Sequence, residues 1–502
     1  MPVTFPSGGI RAKTPAGRWV LLATVLGSGM AMLDSTVVNV ALPSIGSSFD
    51  ASLAALQWTI NAYTLTLAGL ILLGGALGDR YGRRRVFVIG VAWFAAASLL
   101  CGIAPNVEML IAARALQGIG GALLTPGSLA IIQATFHADD RARAVGTWSG
   151  LGGVASAIGP FLGGWLVDAV SWRWVFLINL PLAAVTIVVA LRTVPETFDP
   201  QPRGRFDVTG AVLAALALAG VTWALVQAET TPVAAAFAGA AGVATAVVFV
   251  AVEKRTREPM LPLDIFRVRL FTSVNIVTLF VYGALGAFLL LLVLELQTVA
   301  GYSAQQAGLS LLPVTMVMLL LSARSGDLAR RIGPRPQLTL GPLVCAGGLL
   351  TLLRIGPDAY YPTVVLPGVL IFGLGLAVLV APLTATVLAS VDVSRAGIAS
   401  GVNNAAARAA GLLTVAGLPA LVGLSGDGYR DPGVVDTGFD RALWICAGLL
   451  VLGSAVAWFT ITPESLAPTE PEAERAKPCV RIGCDMAGPP LDPGHEEVGT
   501  GR

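Results

Sequence analysis

The stretch AMLDSTVVNVALP (31–43) sets Asp34 inside a long apolar run, with Ser35, Thr36 and Asn39 beside it. A charge near the centre of a membrane helix costs roughly 2.5–3.5 kcal/mol on insertion scales, so it must be offset by a partner or put to use. Counted inward from Ser44, Asp34 lies ten residues down its run, about 15 Å at 1.5 Å per residue. Counted inward from Pro105, Arg114 lies eight or nine residues down another, about 12–13 Å. A carboxylate beside an arginine in hydrocarbon is far cheaper than either alone, and its proton affinity follows that neighbour and the access of water. Two readings are open: Asp34 titrates and carries protons, or it forms a static ion pair that holds two helices together.

The two histidines, His137 and His495, fall outside the apolar runs. A proton carrier inside the membrane must then be a carboxylate, which leaves Asp34 and Glu295. Glu295 lies about 24 residues into its run, near the far interface, and either meets that interface or faces a cavity. Arg408 in GVNNAAARAAG is deep, with Asn404 one turn before it. It reads as a cavity residue or as a packing arginine bonded to carbonyls. Asn61 sits somewhat nearer the outside than Asp34.

Other chemistries lack their residues. No G-x-x-x-x-G-K-[ST] phosphate loop occurs, and GGIRAKT (8–14) lacks the glycine before Lys13. An intramembrane aspartyl enzyme needs two deep acids on facing helices, and a serine type wants G-x-S-x-G with a membrane histidine. Neither pattern is present, so no enzyme is expected. Of five cysteines, Cys101, Cys345 and Cys446 lie within apolar runs, and the tail pair Cys479 and Cys484 has no further ligand cluster. No disulfide framework, metal or other cofactor is expected.

The elements that must position these groups are membrane helices. The chain is 55% hydrophobic and 12% charged over 502 residues, with a mean hydropathy of +0.77. Soluble domains carry about a quarter charged residues, and one core stops growing near 250–300 residues. A bilayer is the solvent that fits, and an all-α polytopic membrane protein is the expected class. Fourteen runs approach the length of about 20 residues that a spanning helix needs. They lie near 19–43, 55–77, 86–104, 108–132, 144–167, 174–192, 208–228, 233–252, 271–298, 305–324, 337–355, 362–389, 397–424 and 441–461. The run from Trp19 is too long for the core of a signal peptide and reads as a retained helix.

With the N-terminus inside, RAKTPAGR, DRYGRRR, HADDRAR, EKRTREPMLPLDIFRVR and RSGDLARRIGPR all face the cytoplasm. The outer loops then hold only Arg173, Arg354, Arg430 and Arg441, so both termini are expected inside. The net charge of +2, with basic residues in short loops, gives no reason to expect a nucleic-acid partner.

GGALGDRYGRRR after the second run is echoed by SARSGDLARRIGPR after the tenth, an internal repeat of a kind that transporters use. The plan is a cytoplasmic segment (1–18), a six-helix bundle (19–192), two inserted helices (207–253), a second six-helix bundle (270–462) and a disordered cytoplasmic tail (463–502). In the fifth run Gly152, Ser156, Gly159 and Gly163 make one small-residue face, and Pro160 should bend the helix. That face is either ordinary tight packing or a seam that opens and closes. Gly78 and Gly82 permit a tight turn in GDRYGRRR, where Asp79 can bond helix ends or arginine side chains.

These motifs, in this order, resemble the major facilitator superfamily and specifically its fourteen-span drug:proton antiporter family. GALGDRYGRRRV (75–86) matches the superfamily's loop signature, and LIAARALQGIGGA (110–122) resembles its R-x-x-Q-G helix, implicated in proton coupling. AIGPFLGG (157–164) is similar to the G-P-x-x-G-G antiporter motif, while LDSTVVNVALP (33–43) and WRWVFLINLP (172–181) resemble signatures of the fourteen-span branch. The resemblance implies a major facilitator fold with fourteen helices arranged 6+2+6, a monomer in the bacterial inner (plasma) membrane, and proton-coupled export of lipophilic small molecules. It assigns Asp34 and Arg114 to the proton site and Asp79, Gly82, Arg83 and Arg84 to a cytoplasmic gate. Gly159, Pro160, Gly163 and Gly164 become the antiporter helix, and Asn39, Asn61, Tyr63 and Gln117 join the substrate cavity beside Asn404 and Arg408. Proton-coupled uptake or lipid movement on the same fold, or a non-transporting membrane sensor, are the other readings.

Two departures shape the expectation. The second loop copy carries its acid at Asp327, one turn early, so a symmetric gate is not expected. Some multidrug relatives that export cations carry acids in the thirteenth helix, where this chain has Arg408 instead, which turns the expected substrates toward neutral, zwitterionic or anionic lipophiles.

Overall fold

The computed structural model describes residues 9–198, 207–257, 259–392, 395–424 and 426–461. Residues 1–8 of the expected N-terminal segment and the expected tail, with Cys479 and Cys484, lie outside them. Apolar length dictates the architecture, because a backbone in hydrocarbon must satisfy its own hydrogen bonds and a helix does so within one segment. The chain runs through α1 (Pro15–Phe49), α2 (Leu53–Tyr81), α3 (Arg83–Gly102), α4 (Val107–Thr135) and α5 (Ala138–Ala169). It continues through α6 (Trp174–Leu177), α7 (Asn179–Thr193), α8 (Val208–Val226) and α9 (Pro232–Arg255). Then come α10 (Arg269–Thr298), α11 (Ala304–Ile332), α12 (Arg335–Thr351), α13 (Tyr361–Ala389), α14 (Ala396–Leu421) and α15 (Pro432–Thr460).

Thirteen spans, with α6 and α7 counted as one, are long and apolar enough to cross a membrane among the described residues. The fourteenth long helix, α14, carries Asn403, Asn404 and Arg408 and is not among them. The helices outrun the apolar segments. HADDRAR, expected as a loop, supplies the first turns of α5, and α15 begins at Pro432, nine residues before the expected 441. Charged residues at these ends reach water while the helix keeps its internal ladder. Capping fixes several starts: Thr14 accepts from Gly17 N, Ser52 from Ala55 N and Asn106 from Met109 N, and Ser303 with Gln306 forms a capping box.

Helix packing repeats. In the first part of the chain α1 packs on α5 and α7, α4 on α2 and α3, and α3 on α7. In the last part α10 packs on α14 and α15, α13 on α11 and α12, and α12 on α15. The same five pairings thus occur twice, with α1–α5 and α7 answering to α10–α14 and α15. Two contacts between the sets, α5 on α11 and α2 on α14, exchange with each other under that correspondence. Helices α8 and α9 pack on one another, and α8 also touches α2 and α14.

Polar contacts that join the two sets collect at the end of the molecule marked by Asp50. Gln57 donates to Val415 O at 2.7 Å, Gln297 to Val40 O at 3.1 Å, and the backbone N of Gln305 to Asp168 at 2.8 Å. Tyr429 donates to Ala51 O at 2.6 Å, and Arg430 pairs with Asp50 at 2.6 Å.

Candidate functional site

Asp34 is fully buried, and its carboxylate is the hub of a polar cluster built from α1, α2, α3, α4 and α7. Arg114 Nη1 donates to Asp34 Oδ2 at 2.5 Å. Gln117 Nε2, one turn along α4, donates to Oδ1 at 2.8 Å, and Asn179 Nδ2 donates to the same oxygen at 3.2 Å. Ser98 Oγ accepts from both amides, at 2.8 and 3.3 Å. Arg114 also donates to Gln117 Oε1 at 2.7 Å and Thr59 O at 2.9 Å. Its guanidinium lies 4.3 Å from the centroid of the Tyr63 ring and 5.7 Å from that of Phe176. The arrangement obeys the rule for a charge in a low-dielectric interior, which is tolerated when paired and when its remaining lone pairs and protons find partners.

Asp34 and Arg114, expected at similar depth, are therefore bonded, and Gln117 and Tyr63 stand with them. Asn179, Ser98 and Thr59 belong to the same cluster and are not among the expected site residues. A signal for Asn179 was present, since it is the lone amide in WRWVFLINLP. Asn61 is fully buried with neither amide atom bonded. Asn39 turns to a narrow gap walled by Leu42, Leu53, Leu56, Leu290 and Leu294, away from the cluster.

Glu295 stands apart from this cluster. It sits three residues before the end of α10, as its count suggested, and is fully buried within the protein. No N–H or hydroxyl donor reaches either carboxylate oxygen, and the groups beside it are the carboxyls of Asp436 and Asp440 of α15. On α14, Asn404 is exposed and reaches only Ser400 O at 3.4 Å. The adjacent Asn403 makes the cross-helix bonds, to Thr278 Oγ1 at 2.7 Å and Asn275 Oδ1 at 3.2 Å. Arg408 has a buried Nε with no partner, and Tyr63 and Tyr282 are its electrostatic neighbours.

The small-residue face of α5 meets α1. Met32 Sδ lies 2.9 Å from where a Cβ of Gly152 would stand, Thr36 Oγ1 2.0 Å from that of Gly159, and Val37 Cγ1 3.0 Å from that of Gly163. Thr36 also donates to Ser156 O at 3.2 Å. Gly164 turns the other way, with Ala304 O 2.4 Å from its missing Cβ, and a Cβ on Gly308 of α11 would in turn stand 2.1 Å from Pro160 O. One helix thus packs backbone-close on α1 along one side and on α11 along the other.

At the opposite end from Asp50, Gly82 alone separates α2 from α3. Its φ of +107° is the region glycine adopts freely, and a Cβ there would meet Glu196 Oε1 at 2.6 Å. Asp79 Oδ1 accepts from Arg83 Nε at 2.8 Å. Arg84 donates its backbone N to Glu196 Oε1 at 3.0 Å and its Nη1 to Val194 O at 3.1 Å. The chain leaving α7 therefore clamps this turn, a role for Glu196 that the loop's charge pattern did not single out. In the second copy Gly333 supplies the turn at φ +79°, and Asp327 pairs with Arg330 on its own helix. Nearby, Arg395 at the start of α14 bonds Asp264 and holds its carboxyl below the usual carboxylate range.

A cavity of about 580 Å³ opens elsewhere, between Tyr302 and Gln306 on one side and Asp358, Tyr360 and Tyr361 on the other.

The family model for the Major Facilitator Superfamily matches residues 24–415. The chain is 33% identical over 466 residues to the multidrug resistance protein Stp of Mycobacterium tuberculosis, covering 91% of this chain and 78% of that one. It is 35% identical to the tetracenomycin C resistance and export protein of Streptomyces glaucescens, over 83% of this chain and 77% of that one. The puromycin resistance protein of Streptomyces alboniger is 33% identical over 93% of this chain and 96% of its own length. Among solved structures, a bacterial homologue of the lysosomal transporter Spinster superposes with a TM-score of 0.62 at 18% identity, over 89% of this chain and 97% of that one. A D-xylose–proton symporter does so with a TM-score of 0.61 at 18% identity, over 89% and 98%.

Proposed function

Because the chain belongs to the major facilitator superfamily, a family of membrane transporters whose relatives here are drug and antibiotic efflux proteins, we propose that it exports lipophilic small molecules in exchange for protons. The observation that carries this reading is the bonded cluster around Asp34: a single carboxylate, fully buried, held by one guanidinium and two amides. A proton arriving at Asp34 cancels its charge and so weakens its hold on Arg114, whose guanidinium keeps Thr59 O, Gln117 Oε1 and the Tyr63 face. Thr36, two residues beyond Asp34, is packed into the glycine face of α5, and α5 is packed on α11. A change in α1 on protonation therefore bears on the α5–α11 seam, one of the contacts between the two sets of helices.

The duplicated pairing of helices supports a 6+2+6 plan, with residues 19–192 and 270–462 as bundles that rock against each other and 207–253 as the inserted pair. The basic loops support an orientation with both termini in the cytoplasm of a bacterial cell, as a monomer in the plasma membrane. In that orientation the Asp50 end is outside, and the bonds that close it correspond to a conformation open toward the cytoplasm. The gate of Asp79, Gly82, Arg83 and Arg84 is then poised at the cytoplasmic mouth, with Glu196 as its clamp. The test is accumulation of fluorescent lipophiles in everted membrane vesicles from cells expressing the chain. Export driven by protons gives uptake on energisation that a protonophore collapses; accumulation by intact cells instead would reverse the direction.

A further inference from the structure

We propose that Arg408 anchors an acidic group of the transported molecule, so that the substrates are lipophilic anions; this rests on the transporter reading above. Arg408 stands in the middle of α14 with its Nε buried and unbonded. The groups that act on it electrostatically are two phenols, Tyr63 of α2 and Tyr282 of α10, with no carboxylate among them. Tyr63, whose ring lies 4.3 Å from the Arg114 guanidinium, has Asp34, Arg114 and Arg408 as its charged neighbours. The carboxylate that would neutralise Arg408 most simply is Asp34, and its oxygens already accept from Arg114, Gln117 and Asn179. Glu295, the other buried acid on the facing helices, has Asp436 and Asp440 as neighbours instead.

The centre of the protein therefore holds one acid and two guanidinium groups. An unpaired guanidinium within a membrane protein is costly and is normally balanced by a partner or a hydrated cavity. A planar fork of donors with no carboxylate bonded to it suits a carboxylate, sulfonate or acidic phenol on an apolar body, because charge-assisted pairs of this kind are directional and strong. The consequence for energetics is specific. Exchange of one proton inward for one monoanion outward moves two charge equivalents in the direction favoured by an inside-negative potential, whereas a neutral substrate moves one and a monocation none.

Binding can be read without transport, which keeps this inference separate from the export reading. The full chain in lipid nanodiscs would be titrated with 9-anthracenecarboxylate, its methyl ester and 9-(aminomethyl)anthracene, each corrected for empty discs. The wild-type chain is expected to bind the acid about tenfold more tightly than the ester, and the amine least. Arg408→Gln is expected to bring the acid-to-ester ratio close to one, with ester binding reporting an intact fold, and Arg408→Lys to fall between. Absence of acid binding, an ester or amine bound as tightly as the acid by the wild-type chain, or an acid preference that survives Arg408→Gln would each overturn it.

Discussion

At the eighth residue of α4 stands Arg114, bonded to Asp34 of α1; at the eighth residue of α13 stands Gly368, and the contact between α10 and α13 is made by the rings of Phe288 and Phe372, 4.6 Å between centroids. Two sets of helices with the same pairings thus have centres of opposite character. One is a bonded polar cluster in which proton affinity can be set by neighbours. The other is an aromatic contact that has packing and no ionisable group. Duplicated topology has not required duplicated chemistry: among the described residues the second set has no counterpart of that ion pair, and its buried charges, Glu295 of α10 and Arg408 of α14, are not bonded to each other. The same asymmetry appears in the two loop copies, where Asp79 with Glu196 ties one turn down and Asp327 pairs only along its own helix.

The largest effect that would sharpen this contrast is expected from Arg114→Leu. It leaves the Asp34 carboxylate buried without its cation, and breaking such a pair costs about 3–5 kcal/mol. Thermal unfolding of the purified chain measures it. Removing both charges with Asp34→Leu should recover most of the loss, since the two residues act as one unit; a double variant as damaged as the sum of the singles would break the contrast. Next comes Gly308→Ala at the seam between the sets. Its Cβ would lie 2.1 Å from Pro160 O, and overpacking of this kind costs about 1–3 kcal/mol. Because α11 must move off α5, the closed Asp50 end should loosen, seen as faster modification of a cysteine placed at Gln305.

The aromatic centre should respond more mildly. Phe288→Leu forfeits the ring pair at about 0.5–1.5 kcal/mol and should leave proton coupling intact. Loss of coupling would show that the second set shares the chemistry. The smallest effect is expected at Asp264. Its carboxyl is held low by the bond from Arg395, so its stabilising contribution is present above the ordinary carboxylate pKa of about 3.9 and is lost as pH falls through the depressed folded value. Asp264→Asn should therefore lower the melting temperature slightly at neutral pH and not at all well below pH 3, because exposed pairs contribute little.

Sequence alone carried the helical class and the positions of the spans, because apolar runs of membrane length have few other solutions. It also carried the Asp34–Arg114 pair, since depth along a helix can be counted at a fixed rise per residue. Rotation about the helix axis was harder to read. Asn404 and Asn403 share a depth, yet only Asn403 faces α10, and nothing in the local pattern distinguishes them. Glu295 was placed correctly along α10, but its burial depends on α15, a helix remote in sequence. Asn179 and Ser98 are single polar residues in apolar surroundings, and their role depends on which helices converge on Asp34.

Whether Asp34 carries the proton is decided by proton movement in proteoliposomes under an imposed pH gradient. Lipophilic acids, neutral compounds and amines would be added in turn to vesicles holding the wild-type chain or Asp34→Asn. Substrate-triggered proton flux is expected in the wild type and is expected to disappear in Asp34→Asn, while substrate binding persists. Flux that survives in Asp34→Asn would contradict that role, reducing the Asp34–Arg114 bond to a strut between α1 and α4.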